Sequence, residues 1–385
     1  MVDSNLLNKI DWNFIKCKTN YATHGFHPYP AKFIPQIPKN LIKIFSNKNE
    51  VVYDPFCGCG TTIVEAILEE RNAVGNDVSP LAVLISKVKS TYLTPEKIIK
   101  LKKYLFYIEE EINNLYIKEK TKITKENLLN EVNIPRVDYW FDDNIIKELL
   151  IIKKAIKIII DDDISDFLKV AFSGIIVQVS FQDSNTRYTR VNKNIKNKDV
   201  ILKLKNQLNK MIKGIQFLEK CKLYKPMLIA ADTRKIVSIK ENSVDLVITS
   251  PPYPNAYDYH LYHKYRMYWL DMDPKRLKEN EIGAHANYSK RNGLTVVDFE
   301  KNMELCFINI SKFLKKNKYF CIVIGDSILK GKKIKNDELL KKVSLNTNFN
   351  LKYKMERKIN LSKKSFNPLI GNIKKEKILI FKNEK

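Results

Sequence analysis

Two hydrophobic rhythms alternate along the chain, and the points where one replaces the other outline a fold. Short apolar runs that end in a polar or glycine-bearing turn occur at 51–54, 73–77, 227–232, 244–248, 319–327 and 378–381, and each predicts a buried strand. Between 94 and 225 the period changes. Stretches 98–116, 144–160, 164–179 and 200–218 place apolar residues three and four apart with Lys and Glu between them, which predicts amphipathic helices. Shorter helices are expected over 38–45, over 63–68, from about Ser79-Pro80 onward and over 233–238. Four prolines within 28–38 make that stretch an extended or turning loop, and the polar stretch 271–295 predicts a mobile loop able to close over a substrate. Strands alternating with helices predict an α/β architecture. The period changes divide it into a polar leader at 1–20 with Trp12 and Phe14 as anchors, a first half at 21–94, a mainly helical insertion at 95–225 and a second half at 226–385.

Charge adds a partner to this outline. Lys and Arg number 68 against 43 Asp and Glu, a formal net charge of +25 over 385 residues, which argues for a polyanion such as nucleic acid. Compositional drift toward Lys, Asn and Ile would explain abundant lysine, yet it leaves the shortage of acids unexplained. The cysteines at 17, 57, 59, 221, 306 and 321 have neither disulfide-framework nor zinc-finger spacing, which fits a reducing compartment. No apolar run reaches the roughly 18 residues of a membrane span, so a cytoplasmic protein with no membrane partner is expected.

Candidate chemistry collects where strands end. Asp54-Pro55-Phe56-Cys57-Gly58-Cys59-Gly60-Thr61-Thr62 is a strand, a glycine turn and a helix start. Its glycines allow close approach to a ligand, and its helix start presents open N–H groups to a carboxylate or phosphate. The third glycine of a dinucleotide fingerprint and the Gly-Lys-Ser/Thr of a P-loop are both missing, so a ligand with a small carboxylate fits better. Asp77, about twenty residues on, is placed either to bind ribose hydroxyls or to cap the next helix. Asp232 has the same two readings, with an adenine amine as its ligand. The second focus is Ser250-Pro251-Pro252-Tyr253, directly after the apolar run 244–248. Two prolines make a stiff turn with fixed carbonyls, suited to holding a nucleobase amine beside a methyl donor. His24 and His27 lack a partnering acid or thiol cluster, and a wall packed over a ligand suits their loop better than a metal site. No metal is expected. For nucleic acid, the candidates are Asn185, Arg187, Tyr188 and Arg190 in the loop 182–190, where phosphate or base contact competes with a plain solvated loop. The aromatic segment 254–269 adds Tyr257, Tyr259 and Arg266, rings and a cation that suit a splayed base and its backbone.

Taken together, Asp54 to Gly60, Ser250 to Tyr253 and the Pro-Tyr-Pro-Ala-Lys-Phe loop ending at Phe33 resemble the amino-methylating DNA methyltransferases that use S-adenosylmethionine, most closely those acting on the N4 amine of cytosine. The resemblance implies a Rossmann-like, seven-stranded, mostly parallel sheet with its last strand reversed, and double-stranded DNA as partner. It implies cofactor contacts from Phe56, Gly58, Gly60, Thr61, Asp54, Asp77 and Asp232, with Lys32 and Phe33 closing from the preceding loop. Ser250, Pro251, Pro252 and Tyr253 would hold the flipped base. The insertion precedes Asp232, unlike the usual site of the DNA-reading region in that family. A cognate restriction endonuclease is a further candidate partner. Action on adenine N6, action on RNA amines and a non-catalytic DNA-recognition role are the alternatives. A cytosine-C5 enzyme is disfavoured, because its nucleophilic cysteine usually follows proline and no Pro-Cys pair occurs.

Overall fold

A computed structural model describes residues 4–117, 125–235, 238–255, 257–359 and 375–385. In chain order its strands are β1 (Val51–Asp54), β2 (Asn72–Asp77), β3 (Gln182–Ser184), β4 (Arg187–Arg190), β5 (Met227–Ala230), β6 (Val244–Thr249), β7 (Leu314–Gly325), β8 (Ser327–Leu329), β9 (Lys332–Ile334), β10 (Phe349–Lys358) and β11 (Lys375–Asn383). Seven form one sheet in the order β10-β11-β7-β6-β1-β2-β5. Pairings among β5, β2, β1, β6 and β7 are parallel, whereas β11 runs antiparallel between β7 and β10. The carboxyl ends of the five parallel strands therefore open on one edge. The chain first steps outward from β1 through β2 to β5, then returns to place β6 on the other side of β1. That reversal makes β1 and β6 the topological switch point, where open α/β sheets bind ligands.

Alternation along the strands divides the core into two layers. Val52, Leu246, Ile248, Cys321, Val323, Ile378 and Ile380 face one side, while Tyr53, Val247, Phe320, Ile322, Ile324, Leu379 and Phe381 face the other. Helices Val296–Phe313 and Asn336–Ser344 cover the second face. The first face is covered by helices Gln36–Phe45, Thr61–Leu68 and Pro80–Ser90, and its apolar cluster continues without a break into helices Pro95–Ile117, Asp143–Lys157, Asp162–Ile175 and Asp199–Ile215. Among the described residues no helix is long and apolar enough to cross a membrane.

Several local expectations are corrected. The helix expected from 38 begins at Gln36, because the first turn of a helix has no internal use for its N–H groups and tolerates Pro38 there. Residues 182–190 are no loop between helices but a hairpin, β3–β4, seated against the 3-10 turn Ile176–Val179. The polar stretch 271–295 contains helices Pro274–Asn280 and His285–Tyr288, with Leu277, Ile282, Ala284 and Tyr288 buried, so it is a wall rather than a loose loop. The helix expected over 233–238 lies partly outside the described residues, and 233–235 form a turn. Trp12 is buried, and its carbonyl accepts from Arg357 Nε (3.0 Å), which fastens the leader to β10.

Candidate active site at the switch point

At the end of β1 the chain turns through Gly58 and Gly60, both at positive φ (48° and 78°), before entering the helix Thr61–Leu68. A Cβ on Gly60 would collide with Ser86 on the next helix, so glycine there sets both the turn and the packing. Asp54 lies beneath the turn: its Oδ1 accepts from the Thr249 hydroxyl (2.6 Å) and the Phe56 amide (3.1 Å), and burial raises its pKa to about 6. The sequence points Asp54 at the cofactor; at 1% exposure it instead ties β1 to β6 across the switch point. Phe56 is half-buried on the opposite layer, and Thr61 opens the helix from a buried position.

Asp77 projects from the end of β2 toward the same turn. One of its oxygens accepts from the Gly58 amide and the other from the Ser79 amide, each at 2.9 Å. Burial raises its pKa to about 6, and nearby Glu281 adds to the rise. The cap of helix Pro80–Ser90 is Ser79, whose Oγ accepts from Ala82, so Asp77 is not needed for capping. At the end of β5, Asp232 is held by Arg234 in a two-pronged ion pair (2.6 Å at the closest), and Arg234 also donates to Asn302 and Asn280. Asp232 therefore presents a carboxylate already neutralised by a neighbour.

Ser250 follows β6 directly, and the Tyr253 hydroxyl lies near the Ser250 side chain and the Gly325 backbone at the end of β7. Burial raises the Tyr253 pKa and keeps the hydroxyl protonated. Gly283, at φ 78°, passes so close to the Tyr253 carbonyl that no side chain would fit. Above the glycine turn stands an aromatic wall. Tyr29 lies 3.6 Å from the position of a Gly58 Cβ and stacks on Tyr259 (5.6 Å) and His263 (4.9 Å), while Tyr257 leans on Tyr259 (5.9 Å). Glu281 secures this wall by accepting from the Tyr259 amide (2.6 Å) and pairing with His260 Nδ1 (2.7 Å). Sequence reasoning misses both Tyr29 and Glu281. An aromatic between two prolines is a usable signal for Tyr29, whereas nothing in a polar stretch singles out Glu281.

Behind the turn, His24 Nε2 pairs with Glu65 Oε1 (2.6 Å), Tyr21 donates to the same carboxyl (2.7 Å), and Lys89 donates to the Cys59 carbonyl (2.6 Å). Lys32 donates to the His24 carbonyl (2.8 Å), and half-buried Phe33 packs on the core beside it. Among the described residues, no group of three His, Cys, Asp or Glu side chains gathers as a metal site.

The nucleic-acid candidates separate. Arg266 is corrected: it is 1% exposed, donates to the Ser173 and Tyr262 carbonyls (3.0 and 3.2 Å) and to Asn185 Oδ1, and so can reach no DNA. Burial alone lowers its pKa to about 9. Arg190 lies over the Phe181 and Tyr139 rings, Tyr188 packs on Trp140 and Tyr265, and exposed Arg187 pairs with Asp183 (3.0 Å). These groups are at most edges of a DNA surface.

A cradle of this shape fits S-adenosylmethionine. Gly58 and Gly60 leave the turn free of side-chain bulk, and each Asp77 oxygen retains lone pairs for ribose hydroxyls after serving its amide. Several known proteins are similar to the chain. The family model described as DNA methylase matches residues 5–88. The type II methyltransferase M.MvaI of Kocuria varians is 27% identical, with 96% of this chain and 93% of that protein covered. M.MjaII, the type II methyltransferase of Methanocaldococcus jannaschii, is 24% identical over 83% of this chain and 76% of its own. A solved SAM-dependent methyltransferase from Methanosarcina mazei covers 93% of this chain and 99% of its own, with 8% identity and a TM-score of 0.36. The chain is thus similar to DNA methylases over residues 5–88 and to type II methyltransferases over most of its length.

Proposed function

We propose that the chain methylates the exocyclic N4 amine of cytosine at a specific site in duplex DNA, as the modifying half of a restriction-modification pair whose endonuclease cuts the unmodified site. The observation that carries the cytosine reading is Ser250, a small uncharged hydroxyl at the switch point, close to Tyr253 and followed by a rigid Pro-Pro turn. An aromatic amine is a weak nucleophile because its lone pair is delocalised into the ring. Its two N–H groups, donated to Ser250 Oγ and the Pro251 carbonyl, would be held so that the lone pair faces the methyl donor. Ser250 orients the amine and is too weak a base to deprotonate it; the proton leaves once the nitrogen has become cationic. When bound, S-adenosylmethionine supplies a methyl group on a cationic sulfur. Phe56, Gly58, Gly60 and Thr61 would cradle its methionine part, Asp77 its ribose, Asp232 would lie near its adenine, and Lys32 and Phe33 would close the loop side. The Tyr253 ring would stack on the flipped base, offsetting an extrusion cost of a few kcal/mol by about 1 to 3 kcal/mol.

Incubation with S-adenosylmethionine and duplex DNA, followed by nucleoside mass spectrometry, tests the reading. N4-methylcytosine is expected from the intact chain and at least a hundredfold less from Ser250→Ala, on the order expected for losing one orienting hydrogen bond. N6-methyladenine as the sole product would refute the cytosine assignment.

A further inference from the structure

Methyl transfer itself leaves without a role a block of unbalanced positive charge beside the site. We propose that hairpin β8–β9, with the exposed loop 289–292, clamps the DNA phosphates that flank the flipped base; this rests on duplex DNA being the substrate. Hairpin β8–β9 begins two residues after Gly325, the end of β7, which runs parallel to β6, so it rises from the same sheet edge as the catalytic turn. Asn255 Nδ2 donates to the Ile328 carbonyl (2.7 Å), and Asn255 Oδ1 pairs with His285 Nδ1 (2.8 Å). Lys330 Nζ reaches the Arg291 carbonyl (3.5 Å), joining hairpin and loop. These bonds hold both segments at the mouth through which a base must leave the duplex.

Residues 327–335 contain Lys330, Lys332, Lys333 and Lys335 with no acid, and residues 286–295 add Lys290 and Arg291, also with no acid. All six are exposed. Lys333 pairs with Asp326 (2.9 Å), whereas Lys290, Arg291, Lys332 and Lys335 form no ion pair among the described residues. An open concavity of about 450 Å³ lined by Lys275, Lys278, Glu279 and Asn287 extends the same rim. The contrast with β3–β4 is direct, since Arg187 and Arg190 of that hairpin are engaged by Asp183, Phe181 and Tyr139.

The hairpin tip gives independent support. Its two-residue turn, Lys330-Gly331, has φ of 49° and 77°, a pair of positive values that Asn-Gly satisfies with less strain. A long cation occupies the first of these positions instead, and nothing lies within 4 Å of a Cβ built on Gly331. A residue held in a disfavoured conformation at an open tip is the kind of strain that accompanies function. Sequence-independent phosphate binding needs only this: cations fixed in place and accessible.

Two variants test the clamp. Lys330→Asn keeps a residue suited to positive φ and removes the charge, so the melting temperature is expected to hold or rise while DNA affinity falls. Arg291→Ala/Lys332→Ala is expected to reduce the slope of log binding constant against log salt by about 2, about one for each phosphate no longer neutralised, with cofactor affinity unchanged. Lys240→Ala/Lys316→Ala removes the same charge at the amino ends of β6 and β7, the opposite edge, and is expected to keep the wild-type slope. If wild-type protein methylates duplex DNA and both clamp variants retain its affinity and slope, the clamp is wrong and the methylation reading stands. If the wild-type chain transfers no methyl group to duplex DNA, that reading falls and the clamp falls with it.

Discussion

At Asp77 each carboxylate oxygen already accepts one backbone amide, and burial raises the pKa to about 6. Ribose hydroxyls donate hydrogen bonds, and an ionised carboxylate receives them better than a neutral one. Cofactor affinity should therefore weaken as pH falls through about 6, and Asp77→Asn should bind roughly tenfold to a hundredfold more weakly at pH 7.5, on the scale of a hydrogen bond to a charged group, with a flatter pH profile. Calorimetric titration from pH 5.5 to 8 measures both; a wild-type affinity independent of pH would refute this role. The stability contribution has the opposite slope. Because the folded pKa is raised above the ordinary value of 3.8, the contribution is complete below about pH 3.8 and is lost as pH rises through about 6. The placement of Asp77, Gly58 and Ser250 at strand ends can be read from sequence because a strand, a turn and a helix start are local grammar. Tyr29, Glu281 and the burial of Arg266 cannot, because each is decided by residues more than twenty positions away.

The helix Thr61–Leu68 carries the glycine turn at one end and Glu65 on its buried face. Burial raises Glu65 to about pKa 7 and lowers His24 well below its ordinary value, so the pair shares a hydrogen bond best when both are neutral. With the folded pKa raised from 4.5, the Glu65 contribution is complete below about pH 4.5 and is lost as pH climbs through about 7. Glu65→Gln cannot ionise, so it is expected to be more stable than wild type at pH 8, by up to about 3 kcal/mol, and to show little difference at pH 4.5. Urea unfolding at the two pH values measures this; a variant less stable at pH 8 would show that the carboxylate charge is used in the fold. The elements themselves are legible in unequal measure. Apolar strands and long amphipathic helices announce their own periods. The hairpin β3–β4 and the helices of 271–295 do not, since their few apolar residues are anchored by partners elsewhere rather than by a repeat of their own.

Across the whole molecule, the helices of 95–221 are fastened to the loop that covers the cofactor turn and to helix Pro80–Ser90. His27 Nε2 lies 3.1 Å from Ser173 Oγ, Gln207 donates to the Phe26 carbonyl, and Lys87 pairs with Asp166 (2.8 Å). The closest approach is at Gly214 in helix Asp199–Ile215, where a Cβ would strike the Phe26 ring and the Ala22 carbonyl. Tyr29, three residues beyond Phe26, rests on Gly58, so pressure at Gly214 is passed to the cofactor turn through one short loop. Gly214→Ala should thus destabilise the fold by roughly 1 to 3 kcal/mol through overpacking, despite the better helix propensity of alanine, and weaken cofactor binding with it. Gly174→Ala is the matched control: its Cβ would meet Gln207 at 3.5 Å, an ordinary contact, and the helix should gain up to about 1 kcal/mol. Because one apolar cluster joins these helices to the sheet, thermal unfolding followed by circular dichroism and by tryptophan fluorescence should give a single coincident transition that Gly214→Ala shifts downward as a whole. Two separated transitions, with only the earlier one moved by Gly214→Ala, would mean that the helices fold as a unit of their own and act on the site only through contact.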